Sequence, residues 1–134
     1  MHYTKYFIVF LQYINCNSEF TECLELKYDK IQKITYFNGS LYSGECKSFY
    51  QNDTLRTIRY YKDGKDHGLW RFYYPNGKIQ TEGLYNIGIK TGTWSYFHDN
   101  GELKLRGNYN SKGKKIGDWA EFNSNGKLTK NEQY

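Results

Sequence analysis

One phrase of residues recurs along this chain and leaves little freedom in what it can fold into: Gly-x-Trp, two aromatics, Asn-Gly, an apolar residue, then Gly and Tyr. Gly68-Leu69-Trp70 is followed by Phe72, Tyr73, Asn76-Gly77, Ile79, Gly83 and Tyr85; Gly92-Thr93-Trp94 is followed by Tyr96, Phe97, Asn100-Gly101, Leu103, Gly107 and Tyr109. Gly117-Asp118-Trp119 repeats it with Phe122, Asn125-Gly126, Leu128 and Tyr134. Upstream, Gly44-Glu45-Cys46 opens a weaker copy with Phe49, Asn52-Asp53, Leu55 and Tyr61. The leading glycines at 44, 68, 92 and 117 set a period of about 24 residues, within the range of solenoid and array architectures.

A chain of 134 residues buries a core of useful size only if such units share one. Aromatics make up 19% of it, with 15 tyrosines and a single proline, which favours strands, and no window carries a sustained helical apolar stripe. Asn-Gly between two strand-like runs predicts a hairpin with a type I′ turn, because both residues tolerate positive φ. Centring turns on Asn76-Gly77, Asn100-Gly101 and Asn125-Gly126 predicts the register. Trp70 faces Gly83, Arg71 faces Glu82, Phe72 faces Thr81, and Tyr74 faces Ile79. In the next unit Trp94 faces Gly107, Tyr96 faces Leu105, and His98 faces Leu103; in the last, Trp119 faces Glu132 and Glu121 faces Lys130. A Gly opposite a Trp offers the indole a bare backbone to lie across, and the facing charges suit each other. The expected fold is all-β, a repeat array of antiparallel hairpins forming one long twisted sheet.

Strand parity puts Trp70, Phe72, Tyr74, Ile79, Thr81 and Tyr85 on one face of that sheet. Phe49, Tyr73, Phe97 and Phe122 recur at the third residue after each Cys or Trp and fall on the other. Two readings stand: twisting or a bulge turns these rings back into the stack or the leader covers them, or they form a recognition surface for a partner. The glycine-flanked linkers gather Lys65, Lys90, Lys112, Lys114 and Lys115 along one edge, either as a solvated guard against strand addition or as a site for anionic headgroups or an acidic protein. The formal charge of +5 is spread too thinly for a nucleic-acid-binding face.

The first residues differ in kind. Tyr6 to Ile14 is an apolar run too short to span a bilayer as a helix, and it ends at Asn15-Cys16. Residues 1–16 read as a secretory or lipoprotein leader with Cys16 as the lipidated residue, or alternatively as a capping strand. Residues 17–43 read as a degraded capping repeat and 44–134 as the hairpin repeats. Export would leave Cys23 and Cys46 to pair in an oxidising compartment; otherwise Cys46, in the Trp slot of its repeat, serves as a small apolar filler.

Chemistry finds little purchase. His67 and His98 belong to different repeats without an adjacent nucleophile, and the glycines belong to β-repeats rather than to a phosphate-cradling loop before a helix. The cysteines lack metal-ligand spacing. The chain reads as a non-enzyme with no cofactor and no metal.

The phrase from Gly68 to Gly92, with its Gly-x-Trp, aromatics, Asn-Gly-Lys and closing Tyr and Gly, resembles the MORN repeat variant found in bacterial YwqK-type antitoxin proteins. The resemblance spans about Tyr42 to Tyr134, with Cys46 for Trp, Asp53 for Gly and one extra residue before Gly113 as departures. It implies a hairpin sheet and neutralisation of a toxin by binding. The expected function is accordingly a non-catalytic protein-binding module, of antitoxin or immunity type or an envelope scaffold, using Phe49, Tyr73, Phe97 and Phe122. The alternative is a peripheral lipoprotein binding anionic lipid through the lysine edge. The expected location is the cell envelope, or the cytoplasm if the leader belongs to the fold.

Overall fold

The computed structural model describes residues 21–134; Cys16 and the apolar run 6–14 lie outside the described residues. Nine strands pair along one path: β1 (Thr21–Glu22), β5 (Gly44–Phe49), β6 (Leu55–Lys62), β8 (Gly68–Tyr73), β9 (Ile79–Asn86), β10 (Ile89–Phe97), β11 (Leu103–Tyr109), β12 (Lys115–Phe122) and β13 (Leu128–Gln133). The short β7 (Lys65–Asp66) pairs with β6 off this path. Apart from the parallel pair β1 and β5, every pairing in this sheet is antiparallel between neighbouring hairpins or within one. A separate three-stranded sheet, β2 (Lys27–Asp29), β3 (Ile34–Phe37) and β4 (Ser40–Leu41), takes up most of the expected capping region. It docks on the β6–β7 turn, where Thr35 N donates to Gly64 O and Gly64 N to Tyr42 O.

The predicted register holds in the body of each hairpin: Trp70 pairs with Gly83, Trp94 with Gly107 and Trp119 with Glu132. It shifts near the turns. Tyr73, not Tyr74, pairs with Ile79; Phe97, not His98, pairs with Leu103; and Phe122 pairs with Leu128. The turn chemistry supplies the reason. Asn76 does not take positive φ; its side-chain oxygen accepts from Lys78 N at 3.0 Å, and Gly77 N bonds back to Tyr74 O. The turn is therefore type I over Pro75-Asn76 followed by Gly77 at φ 81°, which makes the connection one residue longer than a type I′ turn. Asn100 repeats the arrangement with Glu102 N. The longer connection is offset by a bulge that leaves Arg56, Gln80, Lys104 and Thr129 as extra residues on the return strands.

Type I′ turns occur instead in the linkers, at Asp63-Gly64 and Ile87-Gly88, where both central φ angles are positive. The last linker has its additional residue absorbed by a longer turn, with Asn110 N bonded to Lys114 O and Gly113 at φ 73°.

The core is a single file of rings on one face. Phe37, Tyr42, Tyr61, Trp70, Tyr85, Trp94, Tyr109, Trp119 and Tyr134 touch in succession, with centroids 4.7 to 6.2 Å apart. Edge and tilted contacts of this kind add to the area each ring buries. Cys46 is fully buried within the first part of this file and is joined to Cys23 by a disulfide. The indoles do not lie on their own hairpin's glycine. Trp94 lies across Gly83, and Trp119 across Gly107, each reaching to the strand before it. Trp94 Nε1 donates to Leu84 O there, and Trp70 Nε1 to Tyr60 O.

Candidate functional site

Alternation along the paired strands divides the sheet into an indole face and its reverse. The indole face is closed over by its own cations. Lys90 Nζ stands 3.9 Å from the Trp94 ring centroid, and Lys115 Nζ stands 4.3 Å from Trp119 and 4.6 Å from Tyr134. Burial lowers the Lys90 pKa, consistent with an ammonium laid on rings rather than in water. Each lysine precedes its Trp by four residues, and in the hairpin of Trp70 that slot is Asp66. Trp70 has its cation from Arg59 instead, 5.5 Å above the ring, while burial raises the Asp66 pKa against a lesser pull from Arg59. Of the five lysines expected along one edge, Lys90 and Lys115 are thus turned onto aromatic rings; Lys65, Lys112 and Lys114 are exposed on the linker side.

On the reverse face, the turn ends carry a row of apolar pairs: Phe49 with Leu55, Tyr73 with Ile79, Phe97 with Leu103, and Phe122 with Leu128. Successive pairs are two strands apart, about 10 Å. The three inner strands hold Tyr73, Phe97 and Phe122 half-buried, whereas Phe49 is 41% and Leu128 51% exposed at the two ends. Beside this row, Leu69 and Leu84 pair across β8 and β9 in a shallow hollow of about 380 Å³. Its polar rim is the Arg71–Glu82 ion pair, at 3.1 Å, with Arg106 and Thr93. The other facing charges behave differently: Lys130 pairs in register with Glu121 but its ammonium turns to Glu132, two residues along its own strand.

The stripe is pinned by side chains from one turn to the next. Tyr50 OH donates to Tyr73 O at 2.7 Å, Tyr74 OH to Phe97 O at 2.8 Å, and His98 Nε2 lies 2.9 Å from Phe122 O. His98 therefore stands in a tyrosine slot and bonds a backbone carbonyl. His67 Nδ1 accepts from Ile87 N at 3.5 Å. Among the described residues no group of three or more His, Cys, Asp or Glu side chains is placed to hold a metal ion, and no helix is long and apolar enough to cross a membrane.

Sequence reasoning passed over two features. Ile87, Ile89 and Ile116 are exposed at the linker end, and the signal was the Ile-Gly-Ile of residues 87–89 inside a segment treated only as a linker. Arg56 and Arg59 line a hollow of about 500 Å³ on the indole face, which the bulge at Arg56 creates and no parity argument anticipates.

No curated protein and no solved structure is significantly similar to the chain. The family model described as MORN repeat variant matches residues 42–63, 66–86 and 90–111, three successive repeats of the array.

Proposed function

We propose that the chain is a non-catalytic binding module that captures a protein partner on the reverse face of its sheet, in the antitoxin or immunity role that its repeats' resemblance implies. The observation that carries this reading is the row of Phe49–Leu55, Tyr73–Ile79, Phe97–Leu103 and Phe122–Leu128 beside the Leu69–Leu84 hollow. An apolar strip with a charged and hydroxylic rim has the anatomy of a protein interface. A net charge of +5 favours an acidic partner held by shape and charge together. The Cys23–Cys46 disulfide supports residence in an oxidising compartment such as the cell envelope.

The test is calorimetric titration of the chain with each protein encoded beside it, for the native protein and for Tyr73→Ala/Phe97→Ala. One partner binds, and the double variant loses at least tenfold in affinity while melting cooperatively. Binding that survives the double substitution would remove the strip as the interface; unfolding of the variant would make those rings core. A second reading, attachment to anionic lipid, rests on Lys65, Lys112 and Lys114 at one end of the hairpins. Lys112→Glu/Lys114→Glu would then abolish binding to phosphatidylglycerol vesicles and leave protein binding intact.

A further inference from the structure

We propose that the hollow beside the Cys23–Cys46 disulfide binds a small organic anion, a carboxylate or phosphate carrying an apolar body. This site lies on the indole face, and Tyr73 is the one residue of the protein-binding strip that reaches its lining. Its volume of about 500 Å³ falls in the range of small-ligand pockets. Leu24, Phe72 and the disulfide give it an apolar wall; Arg56, Arg59 and the hydroxyls of Ser48 and Thr57 give it a polar one. No carboxylate lines it.

Arg59 supplies the decisive detail. Its Nε is buried and has no hydrogen-bond partner, a desolvated donor that folding leaves unmatched. That guanidinium stands 5.5 Å over the Trp70 ring and also lines an adjoining hollow with Tyr61 and Asp66. Within the folded chain Arg59 Nε meets no acceptor. Arg56 reaches the same space because it is the extra residue of the bulge between Ser48–Thr57 and Phe49–Leu55, and its guanidinium stands 5.7 Å over the Tyr50 ring. Two guanidinium groups beside the Ser48–Thr57 hydroxyl pair, whose oxygens bond each other at 2.7 Å, with no carboxylate in the lining, match an oxyanion, for which the planar fork of Arg is suited.

The site occurs once in the array. In the following hairpins the bulge residue is Gln80, Lys104 or Thr129, and the position of Arg59, opposite Cys46, is taken by Gly83, Gly107 or Glu132 opposite a Trp. An indole fills the space over Gly83 and over Gly107.

The full chain, with its disulfide intact, is titrated with phenyl phosphate, benzoate, inorganic phosphate and neutral benzyl alcohol while the arginine Nε–Hε resonances are followed by NMR. Phenyl phosphate or benzoate moves the Arg59 resonance saturably, and the tighter of the two names the phosphate or carboxylate source. Arg56→Ala, at an exposed position, weakens that binding about tenfold or more without lowering the melting temperature. Three results would overturn the assignment: an Arg59 resonance that no anion moves, an equal response to benzyl alcohol, or an affinity unchanged in Arg56→Ala. Inorganic phosphate binding as tightly as phenyl phosphate would refute the apolar body.

Discussion

The indole of Trp94 lies across Gly83 of the preceding hairpin, although Trp94 pairs in register with Gly107. A Cβ on Gly83 would stand 2.2 Å from Trp94 Cδ2, and one on Gly107 would stand 2.1 Å from Trp119 Cδ2. Both glycines are buried in central strands, so neither backbone nor indole can yield cheaply. Gly83→Ala and Gly107→Ala are expected to cost about 3 kcal/mol or more by overpacking. Gly77→Ala serves as the comparison, since a Cβ there meets nothing within 4 Å and strain at φ +81° costs about 1 kcal/mol. Urea midpoints that rank Gly77→Ala as the more damaging change would disprove the stacking.

The disulfide ties the segment before the capping sheet to β5 across a sequence separation of 23 residues. Closing a loop of that length removes unfolded-state entropy worth about 3 kcal/mol. Dithiothreitol should lower the melting temperature of the native chain by several degrees and leave Cys23→Ala/Cys46→Ala, already lowered, where it was. Equal sensitivity of both proteins to reductant would count against the bond.

Much of the hairpin register was legible because Gly, Trp and Asn-Gly recur at fixed offsets, and pairs such as Trp70–Gly83 follow from that spacing alone. Its local failures share one cause. The residue pair Asn76-Gly77 suits either a type I′ turn or a type I turn with Gly left-handed, and the choice falls to the Asn76 side-chain bond and Pro75, whose ring presets the first turn position. That choice adds a residue to the connection and a bulge to each return strand, so it also decides which rings pair at Tyr73 and Phe97. Parity could not yield the Trp94–Gly83 contact, because pairing within a hairpin says nothing of the strand on its other side. The same holds for the lysines: Lys90 and Lys115 reach rings of a face that linker composition does not reveal.

Ile87 occupies the first position of a type I′ turn at φ 46°, a conformation that a β-branched residue adopts at a cost of about 1–2 kcal/mol. The residue is 39% exposed, so packing offsets that strain only in part. Ile87→Asn should stabilise the chain by about 1 kcal/mol, read as a higher urea midpoint at unchanged slope. A destabilised Ile87→Asn would mean that the side chain packs more than its exposure indicates.

His98 Nε2 bonds Phe122 O where Tyr50 and Tyr74 bond the matching carbonyls of earlier hairpins. Losing that contact in His98→Ala should cost about 1 kcal/mol and speed hydrogen exchange in the last hairpin more than in the others. His98→Tyr restores the donor and should recover most of the loss. Equal exchange across all hairpins in His98→Ala would remove the carbonyl contact as the cause.

Burial pushes the Tyr85 hydroxyl up to about 12, reinforced by the charge of Asp66, and burial pushes Tyr96 up to about 12 as well. In the unfolded chain both titrate near 10.0. Between these values the unfolded chain surrenders phenolic protons that the folded chain keeps, so this stabilisation is present in full below pH 10 and is lost as pH rises toward 12. Lys90 acts with the opposite sign: its lowered pKa means the fold binds fewer protons just below 10.5, so its contribution grows with pH there and is constant above. Stability should therefore hold up to about pH 10 and decline beyond it. Urea unfolding at half-unit steps from pH 9 to pH 12 measures the decline. Tyr85→Phe, whose hydroxyl has no hydrogen bond among the described residues, makes it shallower without lowering stability at pH 7; an unchanged slope would place the alkaline sensitivity in other groups.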